Sequence, residues 1–426
     1  MRVNLQTQGF YANKNIALVQ RTNVQKVNFG NNTELSPAQK LAQTRAYYQH
    51  ALEKGYAIPA FNVNDLLNVH GIINAVKRTQ SPLIIQASKG ARDYAGLPYL
   101  VQMVKVAKEE AKGIPVMLHL DHGDTFQVCK ECIDGGFDSV MIDGSKFPLD
   151  ENIRLTKEVV DYAHSKGIFV EAELGKLAGV EDEVSNKTSK FTDPQEAARF
   201  VKETGCDSLA ISIGTSHGAV KFRPDEKPQL DFERLSEIKK AVEAILPENI
   251  GKKPGDAGWR QYPFVLHGAS SAPKDLIDMF NQSVVIPRKK FETLENSIND
   301  LVNSRAGALT VLSAIEAMKS NTANYFGKGV PEEMYKEATL RGISKVNVDT
   351  DFRLGYVGTF KNVAGELDVT DKASIDPRTY GKPIMKTLET IGARKTDMLN
   401  SSGQAMDATD KATKAVELAK NLDIKA

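Results

Sequence analysis

The 426-residue sequence predicts an α/β protein folded as a closed (β/α)8 TIM barrel. Eight short apolar runs follow one another along the chain, segments with helical spacing separate them, and polar residues stand where the runs end. The runs are apolar throughout rather than alternating, which is typical of parallel strands covered on both faces. A doubly wound open sheet is the alternative. The polar residues favour the barrel, because a barrel brings the carboxyl ends of all its strands onto one rim.

Each predicted strand is bounded by Gly, Pro or charged residues and followed by a segment in which Val, Leu, Ile and Ala recur every three or four positions. Residues 97–112 and 150–166 are examples of such helical segments. The predicted strands, in chain order, are 56–63, 82–88, 115–121, 139–145, 169–175, 208–214, 263–269 and 345–351.

Three segments lie outside this repeat. The first 33 residues contain no Asp or Glu, so residues 1–38 are predicted to be a polar N-terminal extension. The remainder, 39–426, is predicted to form one domain. Within it, 283–325 is predicted to be a helical insertion before the eighth strand, and 380–424 a long helix or a pair of helices after the barrel. Both are candidates for contacts between subunits, and packing on the barrel's own surface is equally compatible with them.

Composition narrows the class of protein. The sequence has 55 Lys plus Arg and 54 Asp plus Glu, for a formal charge of +1. This small net charge does not favour a nucleic-acid or membrane partner. Three cysteines do not make a disulfide framework, and no apolar stretch is long enough to span a bilayer. We therefore expect a cytoplasmic protein. Cys129 and Cys132 have a metal-like spacing but no partner pair, and buried thiols are the favoured interpretation.

Histidines end three of the predicted strands. His122, His217 and His267 follow the third, sixth and seventh runs, and three imidazoles can hold a divalent cation with an open coordination position. Asp121 precedes His122 and, in a regular strand, points to the opposite face. It is therefore interpreted as an acid or base rather than a ligand. The competing role, capping the next helix, is assigned to Asp124.

Further polar residues surround these strand ends. Asp143 and Glu173 offer either a second metal position or hydrogen bonds to the histidines. His119, two residues before Asp121, is expected either to hydrogen-bond to the residues of the metal site or to pack in the core. The long polar loop 176–192 is predicted to be either a lid with a hinge at Gly179 or an ordinary solvated loop.

Small residues in two loops point to an anion. The segments 216–218 and 268–271 can turn amides and hydroxyls toward a phosphate, and 347–350 ends the eighth strand. Loops after the seventh and eighth strands commonly bind phosphate in barrels. Together with the metal site, they suggest a phosphorylated carbonyl substrate.

An ordered set of motifs gives the sequence a resemblance to class II, metal-dependent fructose-bisphosphate aldolases from about residue 40 onward. The motifs are LHLDHG, EAELG, GVEDE, IGTSHG, LHGASS, NVDTDFR and DPR. The resemblance implies reversible aldol cleavage of fructose 1,6-bisphosphate, as in glycolysis and gluconeogenesis. A metal-stabilised enediolate would form, with no Schiff base. The departures from the family pattern are the N-terminal extension and the 283–325 insertion.

The resemblance also implies roles for individual residues. Zn²⁺ would be bound by His122, His217 and His267, with Glu173 and Asp143 lining an alternative position. Asp121 would move the proton on the aldehyde oxygen, and Glu181 the proton on the ketose carbon. The implied contacts to substrate, phosphate and a monovalent cation (Na⁺ or K⁺) come from Asn62, Ser88, Ser216, Gly218, Gly268, Ser270, Asn347, Asp349, Thr350, Arg353, Asp376 and Arg378.

Within that set, Arg353 would bind the distal phosphate, and Asp376 and Arg378 would act across the interface of a homodimer or homotetramer. Three other functions remain open. A tagatose-bisphosphate aldolase would share the motifs, a zinc hydrolase would share the histidines, and a catalytically silent barrel would be expected to lack a ligand or acid. A covalent lysine is disfavoured, because Lys89 lies beyond the second strand.

Overall fold

The eight predicted barrel strands close into a parallel barrel in the computed structural model. The model describes residues 35–176, 178–181, 184–186, 190–217, 228–281, 329–367 and 375–423. The barrel strands are β1 (Ile58–Asn62), β2 (Leu83–Ala87), β3 (Val116–Gly123), β4 (Ser139–Ile142), β5 (Phe169–Leu174), β8 (Ser208–Ile211), β10 (Phe264–Leu266) and β11 (Ile343–Val348). The predicted TIM-barrel fold is confirmed.

Closure occurs between the first and last barrel strands. β1 pairs with β11, with Ile58 opposite Lys345, and with β2 on its other side, with Ala60 opposite Ile84. Several strands end earlier than predicted; β4 stops at Ile142 rather than at 145. Asp143 and His267 therefore lie in loops of the carboxyl rim, whereas Asn62, Asp121, Glu173 and Asn347 are at or near the last residues of their strands.

Helices surround the barrel, and several of them begin with a side-chain cap. Ser36 and Gln39 form a capping box at the start of α1, and Gly55 ends that helix with φ 69°. Thr125 caps α5, so the assignment of this cap to Asp124 was wrong. The helices are α1 (Pro37–Lys54), α2 (Leu66–Thr79), α3 (Lys89–Ala95), α4 (Leu97–Glu110), α5 (Phe126–Asp134), α6 (Leu149–Ser165), α7 (Pro194–Thr204), α8 (Phe232–Ala244), α9 (Lys274–Asn281), α10 (Glu332–Leu340), α11 (Thr350–Glu366), α12 (Pro377–Met398) and α13 (Ala405–Asp423).

The segment 176–192, predicted to be a long polar loop that acts as a lid or is simply solvated, contains strands. β6 (Ala178–Glu181) pairs antiparallel with β7 (Val184–Asn186), and β6 also pairs with β9 (Ser216–His217). Gly179 lies opposite His217 in this small sheet. The pairing brings the backbone that carries Glu181 alongside the backbone that carries His217.

The C-terminal segment forms two helices, α12 and α13. α12 packs on α2, where a Cβ added to Gly71 would lie 2.6 Å from Leu388, and α13 bonds to α1 through Lys411 and Glu53. The predicted insertion 283–325 lies outside the described residues, as does 1–34 of the predicted extension. In the part of the chain that is described, none of the helices is long and apolar enough to cross a membrane.

Candidate metal centre and substrate pocket

The end of β3 departs from regular strand geometry at His122. This residue has φ 50°, and the pairing of β3 with β4 shifts register between Leu120 and Gly123. A left-handed residue and a register shift interrupt the alternation of side chains between the two faces of a strand. Ligand atoms of Asp121, His122 and His267 consequently all lie within 4.8 Å of one another. The expectation that Asp121 and His122 point to opposite faces was therefore wrong.

His122 and His267 face each other across the rim with their nitrogens 3.0 Å apart, Nε2 of His122 to Nδ1 of His267. Each ring donates its other N–H to a carboxylate. His267 Nε2 bonds to Glu171 at 2.7 Å, and His122 Nδ1 bonds to Asp143 at 3.0 Å. Histidines that bind metals characteristically have such a carboxylate behind them. The two facing nitrogens therefore fit a cation bound between them.

Excess negative charge surrounds this pair. Burial raises the pKa of Glu173 well above its usual range, and the neighbouring Asp143 adds to the shift. Burial opposes a charged His122, yet its hydrogen bond to Asp143 and the nearby carboxylates raise its pKa well above the usual value. Oε2 of Glu173 is buried and accepts no hydrogen bond from the described residues. His122, Asp143 and Glu173 also form a group that could hold a metal ion. A positive charge is thus favoured at this point of the rim.

Three side-chain amides surround the carboxylate of Asp121. Nδ2 of Asn62 and Nε2 of Gln86 donate to Oδ2 at 2.8 and 3.2 Å, and Nδ2 of Asn347 donates to Oδ1 at 3.1 Å. Asn347 also donates to Nδ1 of His267 at 3.1 Å. These bonds fix the orientation of Asp121 beside the two histidines. Gln86 was not predicted as a site residue, although it is an amide inside the apolar run of β2.

A second polar layer lies deeper in the barrel, and two of its members, Glu171 and Lys345, were not predicted from the sequence. Nζ of Lys345 donates to both carboxylate oxygens of Glu171, at 3.1 and 2.9 Å, and approaches Nε2 of His119 at 3.3 Å. His119 bonds to Ser139 at 2.8 Å, which agrees with its expected supporting role. Glu171 precedes Glu173 by two residues, as Lys345 precedes Asn347. The period of two in a strand could have identified both.

The loops after β10 and β11, which were predicted to bind phosphate, contact each other. Oγ of Ser270 accepts the backbone N–H of Asp349 at 3.1 Å, and Gly268 has φ 61°. Thr350 is buried at the first position of α11. Nε of Arg353 bonds to Asp349 at 2.9 Å. A pocket of about 520 Å³ begins here, and its lining includes Asn62, Tyr94, Asp349, Arg353 and Tyr356.

The remaining predicted site residues either lie outside the described residues or make contacts elsewhere. The side chains of His217 and Glu181 and the whole of Gly218 lie outside the described residues. Ser216 is buried in β9, and Ser88 caps α3 by accepting the N–H of Ala91. Asp376 and Arg378 bond to each other at the exposed start of α12. The predicted role of each of these residues stays a prediction.

The fold and the rim together define the class: a TIM-barrel enzyme with a group of residues suited to a divalent metal beside a polar pocket. Residues 42–404 match the family model described as fructose-bisphosphate aldolase class-II. The chain belongs to the class II fructose-bisphosphate aldolase family.

Individual relatives agree with this assignment. The fructose-bisphosphate aldolase of Treponema pallidum is 37% identical over 382 residues, covering 86% of this chain and 98% of that protein. The enzyme of the same name from Giardia intestinalis is 36% identical, covering 86% and 95%. Among solved structures, the YdjI aldolase of Escherichia coli K12 superposes with a TM-score of 0.57 at 26% identity, covering 85% of this chain and 98% of that one.

Proposed function

We propose that this protein catalyses the reversible, zinc-dependent aldol cleavage of fructose 1,6-bisphosphate to dihydroxyacetone phosphate and glyceraldehyde 3-phosphate. The observation that carries the proposal is the facing pair His122 and His267, each with a carboxylate behind it, next to an Asp121 held by three amides. The family supplies the reaction class, and the names of the relatives supply the sugar.

His122, His267 and His217 would hold the metal, with Glu173 and Asp143 available for an alternative position. When bound, a divalent cation would polarise the ketose carbonyl and stabilise the negative charge that develops there. The hydrogen bonds of His122 and His267 support their role as ligands. One nitrogen of each ring bonds to a carboxylate, Asp143 or Glu171, and the other nitrogens of the two rings face each other. Zinc suits a site rich in imidazole.

Asp121 would take the proton from the C4 hydroxyl as the bond between C3 and C4 breaks, and return it during condensation. The bonding electron pair stays with the ketose half, and Glu181 would return a proton to that carbon. The amides of Asn62, Gln86 and Asn347 keep the Asp121 carboxylate in one orientation. A group that accepts a proton from a bound substrate needs such a fixed orientation. Ser88 would lie near the substrate.

Two phosphate positions follow from the loops. The backbone around Gly268, Ser270 and Ser216 would bind the C1 phosphate together with Gly218, Thr350 and a Na⁺ or K⁺ ion. Arg353 would bind the distal phosphate, with Asp349 and Asn347 on the hydroxyls and carbonyl. Arg353 and Asp349 both line the 520 Å³ pocket, which supports this division.

The oligomeric state and the location in the cell are also proposals. Asp376 and Arg378 would reach the site of a neighbouring subunit in a homodimer or homotetramer, because they lie at the exposed start of α12. Cytoplasmic location is supported by three buried free thiols, Cys129, Cys132 and Cys206, which suit a reducing compartment.

The deciding experiment compares fructose and tagatose 1,6-bisphosphate as substrates, each with and without EDTA. We expect cleavage of the fructose ester, its loss with chelator and its return with zinc. Preference for the tagatose ester would reassign the substrate, and hydrolysis of a phosphate-free ester would indicate a zinc hydrolase. Full activity in metal-stripped protein or in His217→Ala would overturn the proposal.

A further inference from the structure

We infer that Lys395, a residue of the outer helix α12, positions the loop 268–272 for phosphate binding by neutralising a carboxylate buried directly behind it. We call residues 268–272 the phosphate loop. The inference rests on the proposed function, which assigns the C1 phosphate to this loop. Lys395 lies outside the barrel strands and outside every motif of the sequence.

The phosphate loop is held from behind by Asp351. Its Oδ1 accepts the backbone N–H of Ala272 at 2.8 Å, and its Oδ2 accepts the N–H of Ser271 at 3.3 Å. Ala272 has φ 43°, a left-handed conformation that non-glycine residues rarely adopt. The two hydrogen bonds to Asp351 therefore stabilise a loop shape that an alanine would not otherwise favour.

Lys395 balances the charge of this carboxylate. Its Nζ lies 2.6 Å from Oδ2 of Asp351, 2.7 Å from Oγ of Ser271 and 2.7 Å from Oε1 of Glu332. Lys395 and Asp351 are both fully buried, whereas Glu332 is partly exposed and shared with Arg394. Lys395 thus bonds to the acid behind the loop and to a residue of the loop itself.

Two consequences follow for an anion in front of the loop. Without Lys395, the charge of Asp351 would be poorly compensated in a buried region and would repel a phosphate through the loop. The loop would also lose the bond at Ser271 that ties it to α12. Because the phosphate group is not altered during aldol cleavage, weaker phosphate binding should affect the bound substrate and the transition state alike.

The test is Lys395→Met, which keeps most of the length of the side chain and removes its charge. We expect the KM for fructose 1,6-bisphosphate and the dissociation constant for inorganic phosphate to rise about tenfold, with kcat within about threefold of wild type. Lys386→Met is the matched control, since Lys386 is an exposed lysine of the same helix paired with Glu389. It should change neither constant.

Charge neutrality can be restored without the lysine. In Lys395→Met/Asp351→Asn, the amide oxygen can still accept from Ala272 while the negative charge is gone, so phosphate affinity should recover most of the loss. A purely structural lysine would lower the melting temperature without this recovery. If Lys395→Met fails to fold, Glu332→Gln removes a negative charge from the cluster instead. Phosphate should then bind more tightly than in wild type, by a smaller factor than the loss expected for Lys395→Met.

Phosphate binding is measured by calorimetry on protein with matched zinc content, so it needs no turnover. A wild-type protein that fails to cleave the sugar would refute the proposed function, while the calorimetry would still decide the role of Lys395. Wild-type phosphate affinity in Lys395→Met or, if that variant does not fold, in Glu332→Gln would overturn the inference. So would a fall in kcat alone, or absence of phosphate binding in the wild type.

Discussion

Two polar layers lie one above the other inside the barrel, and they differ in how completely they are paired. The deeper layer consists of His119, Glu171 and Lys345, and the rim layer of Asp121, His122, Glu173, His267 and Asn347. In the deeper layer both oxygens of Glu171 bond to Lys345, and its charge is balanced. In the rim layer Oε2 of Glu173 and Oδ1 of Asn347 are buried without a hydrogen bond from the described residues.

The difference shows how the barrel separates stability from chemistry. Buried polar groups are normally paired, and the deeper layer follows that rule. The rim layer has acids in excess and two imidazole nitrogens at 3.0 Å, an arrangement that a bound cation would complete. Glu171 connects the layers, because it pairs with Lys345 below and accepts the N–H of His267 above. Variants in the rim layer should therefore lose activity, and variants in the deeper layer should lose stability.

The largest effect is expected from His122→Asn, since asparagine tolerates the left-handed backbone at this position. Loss of a metal ligand removes several kcal/mol of charge stabilisation, so kcat/KM should fall on the order of 10³-fold. Zinc content and cleavage rate are measured together. His119→Asn on the same strand is the contrast. It should keep its zinc and unfold more easily by roughly 1–3 kcal/mol, and loss of zinc from His119→Asn would break the comparison.

Asp121→Asn should lower kcat by about 10²-fold, the lower end of the range for loss of a positioned acid or base. Zinc content should stay at the wild-type level, because the proposed role of Asp121 is proton transfer rather than metal binding. Steady-state kinetics and metal analysis on the same samples check this. Asp124→Asn, three residues away, is the control and should be nearly silent. A zinc-free Asp121→Asn protein would reassign Asp121 as a ligand.

Lys345→Met should destabilise the protein by about 3–5 kcal/mol, because it leaves Glu171 charged and buried without its partner. Urea unfolding of the metal-stripped protein measures this loss separately from metal binding. The double variant Lys345→Met/Glu171→Gln removes both charges and should regain part of the stability. A single variant as stable as wild type would show that the deeper layer does not support the fold.

The smallest effect is expected at the outer edge of the rim. Arg353→Ala should raise the KM for fructose 1,6-bisphosphate about tenfold or more, equivalent to a charged hydrogen bond of about 1.5–3 kcal/mol. Fructose 1-phosphate, which lacks the distal phosphate, should be affected much less. Arg341→Ala removes a similarly exposed arginine that also pairs with an acid four residues away, and it serves as control. Equal losses for both sugars would argue against the distal-phosphate role.

Much of the barrel could be predicted, because its signals are local. Each strand is a short apolar run bordered by Gly, Pro or charges, and all eight runs became barrel strands. The strands β6 and β7 were missed because their pairing with each other, and that of β6 with β9, is not visible in the polar segment 176–192. Strand boundaries shifted where a polar residue follows the run, as at Ile142 in β4.

The site was predictable in its members but not in its geometry. Asp121, His122 and His267 stand out in the sequence, and Glu171 could have been found from its period of two with Glu173. The left-handed backbone of His122, with φ 50°, could not have been predicted, because it depends on how β3 pairs with β4. Lys395 acts on Ser271 across 124 residues, and no pattern near Lys395 reveals this.

The sequence by itself determined the barrel, the strand-end chemistry and the family motifs, because these depend on residues a few positions apart. Only the tertiary structure decided that His122 and His267 share one point, that Glu171 and Lys345 balance each other, and that an outer helix supports the phosphate loop. These contacts join distant segments. They exist because barrel closure and strand register bring those segments together. The local conformational preferences of the residues do not determine which distant segments meet.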